Sequence, residues 1–208
     1  MRKWIAVAVA AVVLVAAGAA ASWWLTGGEE APRAATFRGE PTTGHYVPIA
    51  TRDLDPEPLT VAEVFPAESV ASGGVTLQRR GTETLTDCAE AVWGSAEAAV
   101  AGCTQVLRAH YATRDGRISG QFLIFNLADS AAADRLVAAL RSGGFVRSAP
   151  GTPEGFDASR SRAQARALGH YVTVSWVAPV GAGGRVDLTH PQVAVDSLGF
   201  AVQKRLVD

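Results

Sequence analysis

The chain has 208 residues, with 19 Lys+Arg against 20 Asp+Glu for a formal net charge of −1, two cysteines and 48% hydrophobic residues. That balance gives no general nucleic-acid footprint, and two cysteines with no histidine beside them supply too few ligands for a structural zinc site. The length suits one domain that buries its own core and is short for two.

Trp4 to Leu25 form an uncharged stretch of 22 residues. As a helix this measures about 33 Å, enough for a hydrocarbon core of about 30 Å. Arg2 and Lys3 precede it and Glu29 and Glu30 follow, which places the N-terminus in the cytoplasm and the rest of the chain outside. Trp23 and Trp24 sit at the outer end, where indoles favour the headgroup region. The expectation is a cytoplasmic stub over residues 1–3 and a transmembrane signal anchor over 4–26, with the lipid bilayer as its partner. A cleavable signal peptide is the alternative, with small-residue sites at Ala17-Gly18-Ala19 and Ala19-Ala20-Ala21, and it would release a secreted soluble binding domain. Apolar residues running past those sites through Leu25 favour the anchor. With Arg2 and Lys3 set aside, 17 basic residues face all 20 acidic ones, a net charge of −3 for the part placed outside. Lysine occurs only at Lys3 and Lys204 while alanine is abundant, a codon-usage signature rather than one of phosphate recognition.

Residues 27–59 are polar and interrupted by Pro32, Pro41, Pro48, Pro56 and Pro58, so they read as a Pro-rich extracytoplasmic linker. Tyr46-Val47-Pro48-Ile49 is the one apolar cluster there, and it allows an irregular arm packed on the domain instead. An extracytoplasmic α+β domain is expected over 60–208. Val75 to Arg79 alternates like a strand. Asp87 and Glu90 open a helical stretch that runs to about Gly102, flanked by Cys88 and Cys103. An oxidising location favours a disulfide, with free buried thiols as the alternative. One straight helix would hold the two cysteines about 20 Å apart, whereas a bridge needs Cα atoms within about 7 Å. Gly94-Ser95 resolves that conflict by breaking the stretch into two short helices, about 88–93 and 96–101.

Thr104 to Ala112, the Thr113-Arg114-Asp115-Gly116 turn and Arg117 to Leu127 read as a hairpin, with Leu107, Ala109 and Tyr111 on one face. Opposite them stand Phe122 and Ile124 or Leu123 and Phe125, according to register. Asp129 caps a helix whose stripe is Ala133, Leu136, Val137 and Leu140, ended by Gly143-Gly144. After a Gly/Pro-rich loop, Ser161–Ala167 and His170–Ala178 form a second hairpin with Val172, Val174 and Trp176 on the buried face. Thr189-His190-Pro191 opens a terminal helix to about Arg205, with Val195, Leu198 and Val202 inward. This order contains the β-α-β-β-α-β core of a ferredoxin-like antiparallel sheet with helices on one face, in an α+β fold that follows the N-terminal transmembrane helix.

The patches Asp87-Cys88-Ala89-Glu90, Gly102 through Tyr111 and Gly169-His170-Tyr171-Val172-Thr173-Val174 resemble membrane-anchored extracytoplasmic proteins of Streptomyces and related actinobacteria. The resemblance implies an extracytoplasmic domain with a Cys88–Cys103 bridge and brings no activity with it.

Arg160, Arg162 and Arg166, with Gln164 between, fall on one face of a predicted strand. Such a stripe suits an anionic envelope polymer, a lipid headgroup or an acidic membrane-protein partner. The plainer alternative is a solvated face whose arginines pair with carboxylates of the same domain. His45, His110, His170 and His190 are scattered without metal-ligand spacing, and no nucleophile-elbow, phosphate-loop, dinucleotide or zinc-protease motif occurs. No catalytic residue, cofactor or metal is therefore assigned. A non-catalytic binding, sensing or scaffold module of the cell envelope is the leading expectation, and an envelope hydrolase with an unrecognised site is the alternative. A pocket of converging titratable groups would favour the second.

Overall fold

The structure is a computed structural model that describes residues 31–207. The expected stub and transmembrane anchor lie outside the described residues, and among those described no helix is long and apolar enough to cross a membrane. In chain order come β1 (Thr36–Glu40), a 3-10 turn (Gly44–Ile49), α1 (Val61–Val64), β2 (Ser69–Ser72), β3 (Val75–Leu85), a 3-10 turn (Cys88–Ala91), β4 (Val92–Gly94) and α2 (Ser95–Ala99). Then follow β5 (Gln105–Thr113), β6 (Ile118–Asn126), α3 (Ser130–Ser142), β7 (Gly144–Val146), a 3-10 turn (Ala158–Arg160), β8 (Arg162–Leu168) and β9 (Tyr171–Pro179). The chain closes with α4 (Thr189–Asp196), a 3-10 turn (Ser197–Gly199) and α5 (Phe200–Lys204).

Seven strands form one sheet in the order β1-β8-β9-β6-β5-β3-β2, and β4 and β7 pair separately. Every pairing is antiparallel except that of β1 with β8. The fold is α+β, but its strands do not build the ferredoxin-like arrangement. In a split βαβ unit the strands flanking the first helical segment lie parallel with another strand between them, whereas β3 and β5 are antiparallel neighbours here. The reason is the connection between them. Cys88 and Cys103 are disulfide-bonded with Cα atoms 6.1 Å apart, so the segment leaves the sheet and returns at the same place. A crossover to a parallel strand needs a dozen or more residues laid along the sheet. A segment pinned at both ends beside Leu85 and Val106 cannot supply one.

Between the cysteines the chain is broken at Gly94, as the geometry of the bridge requires, although only the second piece is an α-helix. Asp87 accepts from the Ala89 amide and starts a 3-10 turn. Val92–Gly94 then pairs with β7. Gly94 has φ +66°, and a Cβ there would stand 2.4 Å from the Gly143 carbonyl oxygen, so no other residue fits. Ser95 does not cap α2. Its hydroxyl donates to Ala139 O of α3 and ties the two helices together.

Both faces of the sheet are covered, not one. On the first, Val106, Leu123, Phe125, Val172, Val174 and Trp176 pack against Ala133, Leu136, Val137 and Leu140 of α3 and against the disulfide-closed segment. On the second, Leu107, Ala109, Tyr111, Phe122 and Ile124 meet Val195, Leu198 and Val202 of the C-terminal helices. The hairpin register therefore pairs Leu107 with Ile124 and Ala109 with Phe122. The terminal helix is interrupted by the 3-10 turn at Ser197–Gly199, and Leu188, not Thr189, occupies its N-cap.

Most of the segment read as a linker belongs to the folded unit, which spans Pro32–Asp208. β1 adds to β8, and Ile49, Leu59, Val64 and Phe65 are buried in the second core. Gly39 lies so close to α3 that a Cβ would stand 2.9 Å from Val137 Cγ1, and the Arg141 guanidinium donates to Gly39 O, so the helix covers this edge strand. Asp55 accepts from the Tyr171 hydroxyl (2.8 Å) and pairs with Arg205 (2.8 Å), which also reaches Glu63 (2.9 Å). Prolines break the periodicity of 32–59 without freeing it from the domain. The irregular arm allowed for Tyr46–Ile49 is a 3-10 turn with Ile49 inward.

The bridge closes a loop of 15 residues, for which unfolded-state entropy gives a stabilisation of about 3 kcal/mol. Cys103→Ser is expected to lower the unfolding free energy by about 2–4 kcal/mol in urea denaturation. An unchanged denaturation midpoint would show that the packing of 88–103 holds without its covalent closure.

Candidate functional site

The three arginines of the expected stripe part company. Arg160 is not on the strand but ends the 3-10 turn before it, because Asp157 caps that turn and draws the Arg160 Nε to its carboxylate at 2.6 Å. The rest of the guanidinium donates to Gly181 O (2.8 Å) and Gly183 O (2.7 Å), fastening the 181–184 loop. Arg162 opens β8, exposed, and reaches Thr189 Oγ1 at 3.3 Å. Arg166, four residues on, forms a two-carboxylate bridge between Glu40 of β1 (2.7 Å) and Asp196 of α4. Alternation along β8 is what separates these side chains from Ala163, Ala165 and Ala167, which enter the first core.

Arg166 forms part of the floor of a cleft of about 790 Å³ between the β1–turn segment and α4–α5. Its charged surface is Arg38, Glu40, Arg166 and Asp196; its apolar and aromatic walls are His45, Tyr46, Val193 and Phe200. Val193 is 53% exposed and Phe200 60%. Beneath it, Asp196 Oδ1 accepts from the buried Ser175 hydroxyl (3.0 Å), and Ser175 in turn receives Gln192 Nε2 (2.7 Å). Gln192 and Asp196 are four apart on α4, so one turn of helix aims both at the sheet. Charge at the floor is thus matched pair by pair, and the walls carry the free apolar surface.

A second polar cluster lies on the opposite face of the sheet. His110 of β5 and Ser119 of β6 are 6% and 0% exposed, with Nε2 and Oγ 2.8 Å apart. The ring nitrogen and the hydroxyl share one hydrogen bond. Gln121 beside them clamps the 147–149 backbone, donating to Arg147 O (3.1 Å) and accepting from the Ala149 amide (2.6 Å). Arg108 is buried and paired with Glu83. The Gly/Pro-rich loop thereby closes over the cluster and leaves a cavity of about 200 Å³. Among the described residues no carboxylate bonds to His110, and Ser119 is shielded from solvent. The pair joins β5 to β6, and Gln121 holds the loop.

His170, in the turn between β8 and β9, bonds to Ile49 O through Nδ1 at 2.9 Å while its buried Nε2 has no partner. His45 stands at the cleft, edge-on to Tyr46. Among the described residues no three His, Cys, Asp or Glu side chains gather as a metal-ligand set. The sequence reading missed the Glu40–Arg166–Asp196 and Asp55–Tyr171–Arg205 networks, whose members come from distant segments. The i, i+4 spacing of Gln192 and Asp196 was the one local signal. No protein-family model, curated protein or solved structure matches the chain.

Burial holds the pKa of both His110 and His170 below the usual histidine range, with Arg80 adding to the effect at His110. Folding thus favours the neutral form of both rings, whereas the unfolded chain protonates them below about pH 6.5. Stability contributed by these rings is present above that pH and is lost as pH falls, by up to about 1.4 kcal/mol per pH unit for each histidine. Urea denaturation at pH 7.5 and pH 5.0 is expected to show a lower midpoint at pH 5.0. Equal midpoints would refute the assignment of neutral buried rings.

Proposed function

We propose that this protein is a non-catalytic binding module of the bacterial cell envelope, held outside the membrane by its N-terminal apolar segment, with the cleft between β1 and α4–α5 as its recognition surface. The observation that carries this reading is the division of labour within the cleft. Arg38 and Arg166 neutralise Glu40 and Asp196 at the floor, while Val193 and Phe200 expose apolar surface at the walls. Groups locked in mutual ion pairs are poor acids and bases, but they make a rigid floor, and exposed aromatic surface is what binding sites use for affinity. The Cys88–Cys103 bridge supports a location in an oxidising compartment. The basic residues before the apolar run support the direction of insertion.

The location is tested by protease shaving of intact cells that carry a C-terminal tag. The tag is expected to be lost without lysis while the N-terminal segment stays in the membrane pellet; a tag that survives until lysis overturns the orientation. The binding reading is tested with a photo-crosslinking residue beside the cleft. The adduct formed by the wild-type protein should fall at least tenfold with Phe200→Asp and persist with Ser119→Ala. Loss of function with Ser119→Ala in a protein that still folds would instead speak for the envelope hydrolase, with His110 as base.

A further inference from the structure

β1 and β8 begin at the same end of the sheet, where β9 and β5 finish and β6 and β3 start, as the pairs Thr36 with Arg162, Arg162 with Val177, Ile118 with Pro179 and Leu77 with Thr113 require. That end therefore gathers the 113–117 turn, the 181–188 loop and the first residues of β1. Two adjoining clefts, of about 690 and 650 Å³, lie there and share Arg185 and Val186. Together they are lined by the arginines 114, 117, 160, 162 and 185 and by Asp115 and Asp187.

Arg160 is neutralised by Asp157. The other four arginines are exposed, and none of them takes part in an ion pair among the described residues. The two aspartates are turned into their own loops: Asp115 accepts from the Thr113 hydroxyl and the Arg117 amide, and Asp187 from the Thr189 amide. This end is thus a surface of unpaired guanidinium groups on a chain that is otherwise acidic. At the opposite end Asp87 and Asp129 follow the last residues of β3 and β6, and Arg52 is turned onto the carbonyls of Gly102 and Leu127.

The basic end is also where the polypeptide arrives. Ala35 and Thr36 line one of the two clefts. In the sequence Ala35 stands ten residues after Leu25, the last residue of the apolar run, a reach of at most about 35 Å even when fully extended. We infer that the basic end docks on the outer surface of the bilayer, with Arg114, Arg117, Arg162 and Arg185 bound to the phosphates of anionic lipid headgroups. This rests on the anchor reading above. Guanidinium groups suit phosphate oxygens through paired, charge-assisted hydrogen bonds. A tether this short keeps the local headgroup concentration high, so that individually weak contacts act together. A soluble acidic partner would gain nothing from the tether.

The test uses the full chain in nanodiscs of phosphatidylglycerol or of phosphatidylcholine, read by amide hydrogen exchange. Amides of the 113–118 turn and the 181–188 loop are expected to exchange at least fivefold more slowly in phosphatidylglycerol discs, with no change at 127–129 and 168–170. The combined variant Arg114→Gln, Arg117→Gln, Arg162→Gln and Arg185→Gln should abolish the difference at low salt while the core amides stay protected. A chain that stays with the discs but exchanges alike in both lipids overturns the docking and leaves the anchor standing. A chain that elutes apart from the discs overturns the anchor and the docking together. Equal protection from soluble inorganic polyphosphate in phosphatidylcholine discs assigns the arginines to a free polyanion and overturns the lipid reading.

Discussion

The Cys88–Cys103 bridge fixes where the chain leaves and rejoins the sheet, and the central strand order depends on it. With its two ends 6.1 Å apart, the segment between β3 and β5 folds as a compact lobe at one sheet end. β5 then has one course open to it, back along β3. The Asp115-Gly116 turn continues the meander to β6, and β9 closes on β6. The lobe does not stand free. Val92–Gly94 pairs with β7, and Ser95 bonds to α3, so the closed loop becomes part of the cover over the first core.

Because both faces of the sheet are covered, the central strands are buried on both sides, and polar side chains enter the interior wherever alternation delivers them. Several find a specific partner, whereas the Tyr111 hydroxyl and His170 Nε2 have none among the described residues. His110 takes the Ser119 hydroxyl, Ser175 meets Asp196 and Gln192, and Tyr171 meets Asp55. Leaving such groups unpaired costs more than pairing them gains, so these contacts select one arrangement of loops and helices over others as much as they add stability. They also fasten segments without regular structure. The 147–149 stretch is held by Gln121, and residues 55–58 are held by Arg205.

The charged residues divide by what surrounds them. Arg108, Arg166 and Arg205 lie where carboxylates from other elements meet them and serve the architecture. Arg114, Arg117, Arg162 and Arg185, at the opposite end from Asp87 and Asp129, have no carboxylate partner among the described residues and face outward. In the function proposed above, the cleft along β1 and α4–α5 selects a partner through its apolar walls, and the cations at the sheet end where the chain arrives set the domain's attitude to the envelope.

Much of the local structure was legible in the chain itself. The 105–126 hairpin, the α3 stripe ended by Gly143 and the break at Gly94 all follow from period, turn chemistry and the reach of a disulfide, which act over a few residues. The extent of the domain was not legible. Five prolines make residues 32–59 look like a spacer, yet β1 is a strand because β8 offers it an edge and α3 covers it. The ferredoxin-like arrangement failed for a related reason, since element order leaves open which strands become neighbours. The arginine stripe was placed by alternation alone, which tells which way a side chain points and not what it meets. Glu40 and Asp196 lie 126 and 30 residues from Arg166 in the chain. Only the assembled sheet, with β1 beside β8 and α4 across them, brings those carboxylates to the guanidinium, because hydrogen bonding and Coulomb attraction act over a few ångströms of space and take no account of distance along the sequence.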